Sequence, residues 1–140
     1  ALRGRLSLLV CQRGRIIERW SDSNVLTLAG KAMAARLLAG AEGAQPVTHV
    51  GVGISGAQAT PDDVALTDPF VKPLSGASFP APRQVRFHFT VDSGEAVGMN
   101  IAEFGLLHAD GTLWARRART PITKEADMAL FGEWDILVLE

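Results

Sequence analysis

Hydrophobic and polar positions alternate with a period of two over much of this chain, most cleanly between Asn100 and Arg119. Two apolar runs, Ile101–Leu107 and Thr112–Ala118, flank His108-Ala109-Asp110-Gly111. Asp-Gly between strand-like runs predicts a hairpin, because Gly accepts a positive φ without steric cost. Ala102, Phe104 and Leu106 share one face of the first run, and Ile101, Glu103, Gly105 and Leu107 the other. The hairpin has no catalytic pattern and reads as the centre of a sheet.

The same period marks Gln84–Val91, where Val85, Phe87, Phe89 and Val91 oppose Arg86, His88 and Thr90. It returns in Ala129–Leu139 and in Val47–Ile54. Arg5–Cys11 and Arg15–Trp20, separated by Gln12-Arg13-Gly14, suit a second hairpin. Phe70–Leu74 and Ile122–Lys124 read as short strands, the first confined to an edge by Pro69 and Pro73. Between Leu26 and Ala39 the period becomes helical, with Leu26, Ala29, Met33 and Leu37 in one stripe. Ser21–Asn24 reads as a turn and N-cap cluster, and Thr60-Pro61 as the start of one helical turn reaching Leu66. Ser75–Pro82 reads as irregular. Seven or eight short strands and one helix, at about 26–39, predict a mainly β fold. It is an antiparallel β-sandwich or jelly roll formed as a single domain over residues 1–140.

Composition changes this picture little: 47% apolar and 21% charged residues indicate a folded globule rather than a disordered chain. A net charge of −1 gives no reason to expect nucleic acid or an anionic membrane as partner. Charge is nonetheless uneven: residues 1–39 hold seven Lys/Arg against two Asp/Glu, and residues 40–140 hold seven against thirteen. A lone Cys11 excludes an intramolecular disulfide and a Cys-based zinc site. No apolar run reaches the length of a membrane span or resembles a signal peptide, so a soluble protein made in a reducing cytoplasm is expected.

Candidate chemistry is thin. Gly51-Val52-Gly53-Ile54-Ser55-Gly56 matches GxGxxG, but Ala57–Pro61 follows where a phosphate-binding helix would have to open. His49, His88 and His108 are scattered, and Asp62, Asp63 and Asp68 lack calcium-loop spacing, so no metal is expected. No GxSxG elbow or paired-carboxylate arrangement suggests an enzyme. Arg116, Arg117 and Arg119 beside Trp114 form a basic aromatic stretch, read as a solvated strand face or a protein contact. Trp20, Trp114 and Trp134 would be the stacking platforms of a carbohydrate-binding module, if the chain were one.

The order of segments resembles a group of small structural proteins of tailed bacteriophages. The resemblance runs over about residues 24–138. It includes Val47-Thr48-His49-Val50-Gly51-Val52-Gly53, Thr60-Pro61 and Ala65-Leu66-Thr67, and ends with Lys124 and Leu130–Leu137. Its most specific portion is Ala102–Leu107 with Asp110–Arg116. It implies a virion component without enzymatic activity or cofactor, either a head-decoration (cement) protein or a tail- or fibre-associated one. Without repeats or heptads for a fibre shaft, decoration on the outer surface of the capsid fits better. The expected partners are the major capsid protein and a second copy of this chain, with dimers at local two-folds. Expected contact residues are Leu2, Arg3 and Arg5 in the basic N-terminal arm, and Trp114, Arg116, Arg117 and Arg119.

Overall fold

A computed structural model describes residues 1–139 of the chain. They form two antiparallel sheets of five strands each, with one helix: a β-sandwich. The strands are β1 (Leu2–Gln12), β2 (Arg15–Ser23), β3 (Val25–Leu26), β4 (Val47–Gly53), β5 (Phe70–Pro73) and β6 (Gly76–Ala81). They continue with β7 (Gln84–Val91), β8 (Asn100–His108), β9 (Leu113–Thr123) and β10 (Met128–Val138), and α1 spans Leu28–Leu38. The front sheet has the order β2-β1-β10-β7-β6, and the back sheet β3-β9-β8-β4-β5. Among the described residues no helix is long and apolar enough to cross a membrane.

The alternation seen in sequence builds the core. Leu6, Leu8 and Val10 of β1 and Leu130, Trp134 and Ile136 of β10 point inward from the front sheet. Val50, Val52, Phe104 and Leu106 meet them from the back. Each fully buried side chain of this size contributes about 1.5–3 kcal/mol relative to exposure. Trp134 is fully enclosed, and its indole N–H donates to Asn24 Oδ1 at 3.0 Å, so the polar end of the ring is satisfied.

The two sheets are finished differently on their outer faces. In β8 every residue after Asn100 is buried, so both faces of this central strand are covered. The outer cover is α1, lying on β9, and the segment 54–69, lying over β4 and β8. Leu66 of that segment packs with Leu107 and Leu113 in a second small core. Gly51 and Gly105 face each other across β4 and β8. A Cβ on either would come within 3.0 Å of a Leu66 or Leu113 methyl, so the glycine pair forms the trench Leu66 occupies. The front sheet has no such cover, and its outward residues are exposed or half-buried.

Several elements differ from the sequence expectation. Ten strands form where seven or eight were expected. The helix starts at Leu28, because Val25–Leu26 pair with β9 and Thr27 is the N-cap, accepting from Gly30 N–H at 2.8 Å. Ser21–Ser23 therefore close β2 rather than cap the helix. At Thr60 a turn forms without a helix; its N–H and hydroxyl donate to the Asp63 carboxylate at 2.9 and 3.1 Å. Gly76–Ala81 is an exposed edge strand, built by pairing with β7 despite its Pro and lack of alternation. Ile122 belongs to β9, which bulges at 119–121 opposite Ala102, where Pro121 is tolerated.

Candidate interaction surface

Cross-strand register places the outward residues of the front sheet in rows. Arg19, Leu9, Phe131 and Thr90 form one row; Ser21, Ser7, Glu133 and His88 form the next. Below them lie Ser23, Arg5, Asp135 and Arg86, then Arg3, Leu137 and Gln84. Within this face Ser7 and Ser21 share a hydrogen bond of 3.2 Å, and Ser78 reaches His88 at 3.0 Å. Arg86 takes both carboxylates of β10, Asp135 at 2.7 Å and Glu133 at 3.2 Å. Its hydrogen bond to Asp135, outweighing desolvation, holds the guanidinium above its ordinary pKa. Phe131 remains 45% exposed, beside a hollow of about 400 Å³ that reaches Leu9, Thr90 and His88. A second hollow of about 270 Å³ lies between Leu9 and Arg19. The result is a broad, shallow, mixed surface rather than a cleft.

Of the seven contact residues expected from sequence, only Arg3 and Arg5 lie on this face. Strand alternation sends the three arginines of β9 elsewhere. Arg117 and Arg119 face β2 of the opposite sheet, pairing with Asp22 and Glu18, each at 3.0 Å. Their guanidinium carbons lie 5.5 and 5.0 Å from the centroid of Trp20, which they cover. These contacts tie the front sheet to the back along one side of the sandwich. Trp134 is enclosed, Trp20 is half-buried under arginines, and Trp114 is buried but for the part that lines a groove at one end of the sandwich, so the three do not form a shared stacking platform.

Arg116 is a correction of a stronger kind. Expected on a solvated face or a contact, it is 3% exposed and sealed beneath the segment 54–69. Its Nε donates to Glu103 Oε1 at 2.8 Å and its Nη1 to Asp63 Oδ2 at 2.9 Å. Nη2 donates to the carbonyls of Ser55 and Ala57 at 3.2 and 2.9 Å. Glu103 Oε2 in turn accepts from Ser55 N–H and Thr67 N–H at 2.9 and 2.8 Å. The GxGxxG segment thus binds a carboxylate of its own chain: a Cβ on Gly53 would lie 2.5 Å from Glu103 Oε2. This network fastens the cover over the back sheet.

Partial burial raises the pKa of Asp63, but hydrogen bonds from Thr60 and Arg116 and the guanidinium charge outweigh it and hold the carboxyl below its ordinary 3.8. The unfolded chain then binds the proton more readily. The contribution is complete above the ordinary value and is lost as pH falls through the depressed one. Asp63→Asn should therefore destabilise the protein at pH 7, and the gap to wild type should shrink by about pH 3. Urea unfolding at the two pH values tests this; an equal gap at both would refute it.

Leu2 and Trp114 meet in a third place. An open groove of about 600 Å³ with an almost wholly apolar lining lies at one end of the sandwich, with Leu37, Leu38, Val47 and Phe87 among its walls. Among the described residues no group of three or more His, Cys, Asp or Glu side chains converges as a metal site. His108, expected in the hairpin loop, ends β8 and is buried, its Nδ1 2.5 Å from Gln45 O. No family model, curated protein or solved structure matches the chain.

Leu9, Phe131 and Arg19 were not singled out by sequence. The signal for the first two was present: Leu9 interrupts the inward series Leu6, Leu8, Val10, and Phe131 the series Leu130, Trp134, Ile136. An apolar residue out of phase in an alternating strand marks an apolar spot on the solvent face.

Proposed function

We propose that the chain is a non-enzymatic structural protein of a tailed-phage virion, decorating the head by bridging neighbouring major capsid subunits. The observation that supports this is the unequal finish of the sandwich. The back sheet is sealed by α1 and the segment 54–69, while the front sheet offers a broad, uncovered, mixed apolar and charged face. Such a face suits many modest protein contacts repeated over a lattice better than one buried small ligand. A site shared between subunits exists only in the assembled shell, so occupancy stabilises that state by mass action. Dimers at local two-folds would repeat the face symmetrically.

Purified protein added to expanded shells should bind saturably and raise their melting temperature, and virions should carry close to one copy per capsid subunit. No shift at saturation would refute decoration, and a few copies to a few dozen would move the protein to the tail.

A further inference from the structure

The charge on the front face is not what the hairpin of β1 and β2 suggests in sequence. That hairpin contains two acids, Glu18 and Asp22, and alternation turns both inward, where Arg119 and Arg117 consume them. The two acids contributed by β10, Glu133 and Asp135, are both held by Arg86. Among the described residues, Arg3, Arg5 and Arg19 have no ion-pair partner, and all three are exposed on the outer face. They run along the β1–β2 side: Arg19 stands beside Leu9 and lines the smaller hollow, and Arg5 and Arg3 follow four and six residues from Leu9 along β1.

We infer that this face docks an acidic protein surface, its carboxylates meeting Arg3, Arg5 and Arg19 and an apolar side chain seating beside Phe131. The inference deepens the proposed virion function and rests on it for the identity of the partner, though not for its chemistry. Charge complementarity carries it, since three unpaired guanidiniums line one margin of the only uncovered sheet face described. A protein fits better than a nucleic acid. Glu133 and Asp135 lie on the same face and would repel a continuous polyphosphate, and Phe131 and Leu9 match no phosphate backbone.

The test uses immobilised glutamate–tyrosine copolymer, duplex DNA and expanded shells as separate probes. Wild-type protein should be retained on the copolymer at about 50 mM NaCl and released by about 500 mM, where the Debye length falls to a few ångströms. The reversal R3E/R5E/R19E should weaken retention at least about tenfold and the neutral set R3Q/R5Q/R19Q less, while Glu133→Gln should strengthen it. Undiminished retention of the reversed protein would overturn the inference, and so would retention on DNA but not on the copolymer. Charge-dependent copolymer binding without shell binding would sustain the acidic partner and remove the capsid reading. Shell binding indifferent to the reversal would sustain the capsid reading and remove the acidic partner.

Discussion

Arg116→Ala should lower the stability of this protein by about 3–5 kcal/mol, the range for leaving one partner of a buried ion pair uncompensated. Glu103 is 1% exposed and keeps only two backbone donors, Ser55 N–H and Thr67 N–H, once the guanidinium is gone. The same change frees Asp63 and the carbonyls of Ser55 and Ala57, so the cover over the back sheet loses its fastening as well as its charge balance. Against a typical total of about 5–15 kcal/mol this is a large fraction. Urea unfolding gives the magnitude, and limited proteolysis should find new cleavage within 54–69. Replacing both partners, Glu103→Met with Arg116→Met, should cost less than Arg116→Ala because no lone charge remains buried. It should still fall short of wild type, because two backbone N–H groups lose their acceptor at about 1–3 kcal/mol each. A single variant within about 1 kcal/mol of wild type would show that the network is ornamental.

The sandwich was legible wherever one face of a strand is buried and the other is not. Gln84–Val91 announces itself by alternation and packs as expected, and in Ala129–Leu139 the inward Leu130, Trp134 and Ile136 carry the strand signal although Phe131 falls out of phase. Asp110-Gly111 correctly marks the hairpin turn, with Asp110 Oδ1 accepting from Thr112 N–H at 2.9 Å. Legibility fails where a distant segment decides burial. Arg116 reads as a surface residue because its partners lie across the hairpin at Glu103 and in a segment more than fifty residues away at Asp63. The one local hint is Glu103, an acid alone within Ile101–Leu107. The GxGxxG match misleads for the same reason, as its glycines admit Leu66 and a carboxylate rather than a phosphate. Gly76–Ala81 carries no strand signal, since pairing to an exposed β7 edge needs backbone groups and no side-chain pattern. The basic N-terminal arm reads as a contact, and two of its residues, Arg3 and Arg5, lie on the open face. What the sequence concealed is that the acids of β2 are turned away from that face.

Gly30→Ala should destabilise the protein by about 1–3 kcal/mol, although helix propensity alone would favour Ala by about 1 kcal/mol. Gly30 is where α1 rests on β9. A Cβ there would lie 2.4 Å from Trp114 O and 2.9 Å from its Cα, while real Cβ contacts essentially never fall below 3.0 Å. Both obstructing atoms are backbone, and Leu113 and Ala115 on either side are at most 1% exposed, so β9 has nowhere to retreat. The helix must lift instead. Lifting strains the contacts that start it: Thr27 Oγ1 donates to Leu113 O at 2.6 Å, and Thr27 N–H donates to Trp114 O at 3.1 Å. Thr27 Oγ1 also accepts from Gly30 N–H itself, so the N-cap and the point of contact are displaced together. Ala32→Gly, two residues further along on the exposed side of the helix, serves as the opposite control and should lose about 1 kcal/mol by propensity alone. Adding a methyl at residue 30 and removing one at residue 32 should thus both destabilise, one through packing and the other through backbone entropy. Urea unfolding followed by circular dichroism separates them. A Gly30→Ala protein more stable than wild type would mean that α1 does not sit on β9 at this distance, and the sealed back sheet would lose its main support.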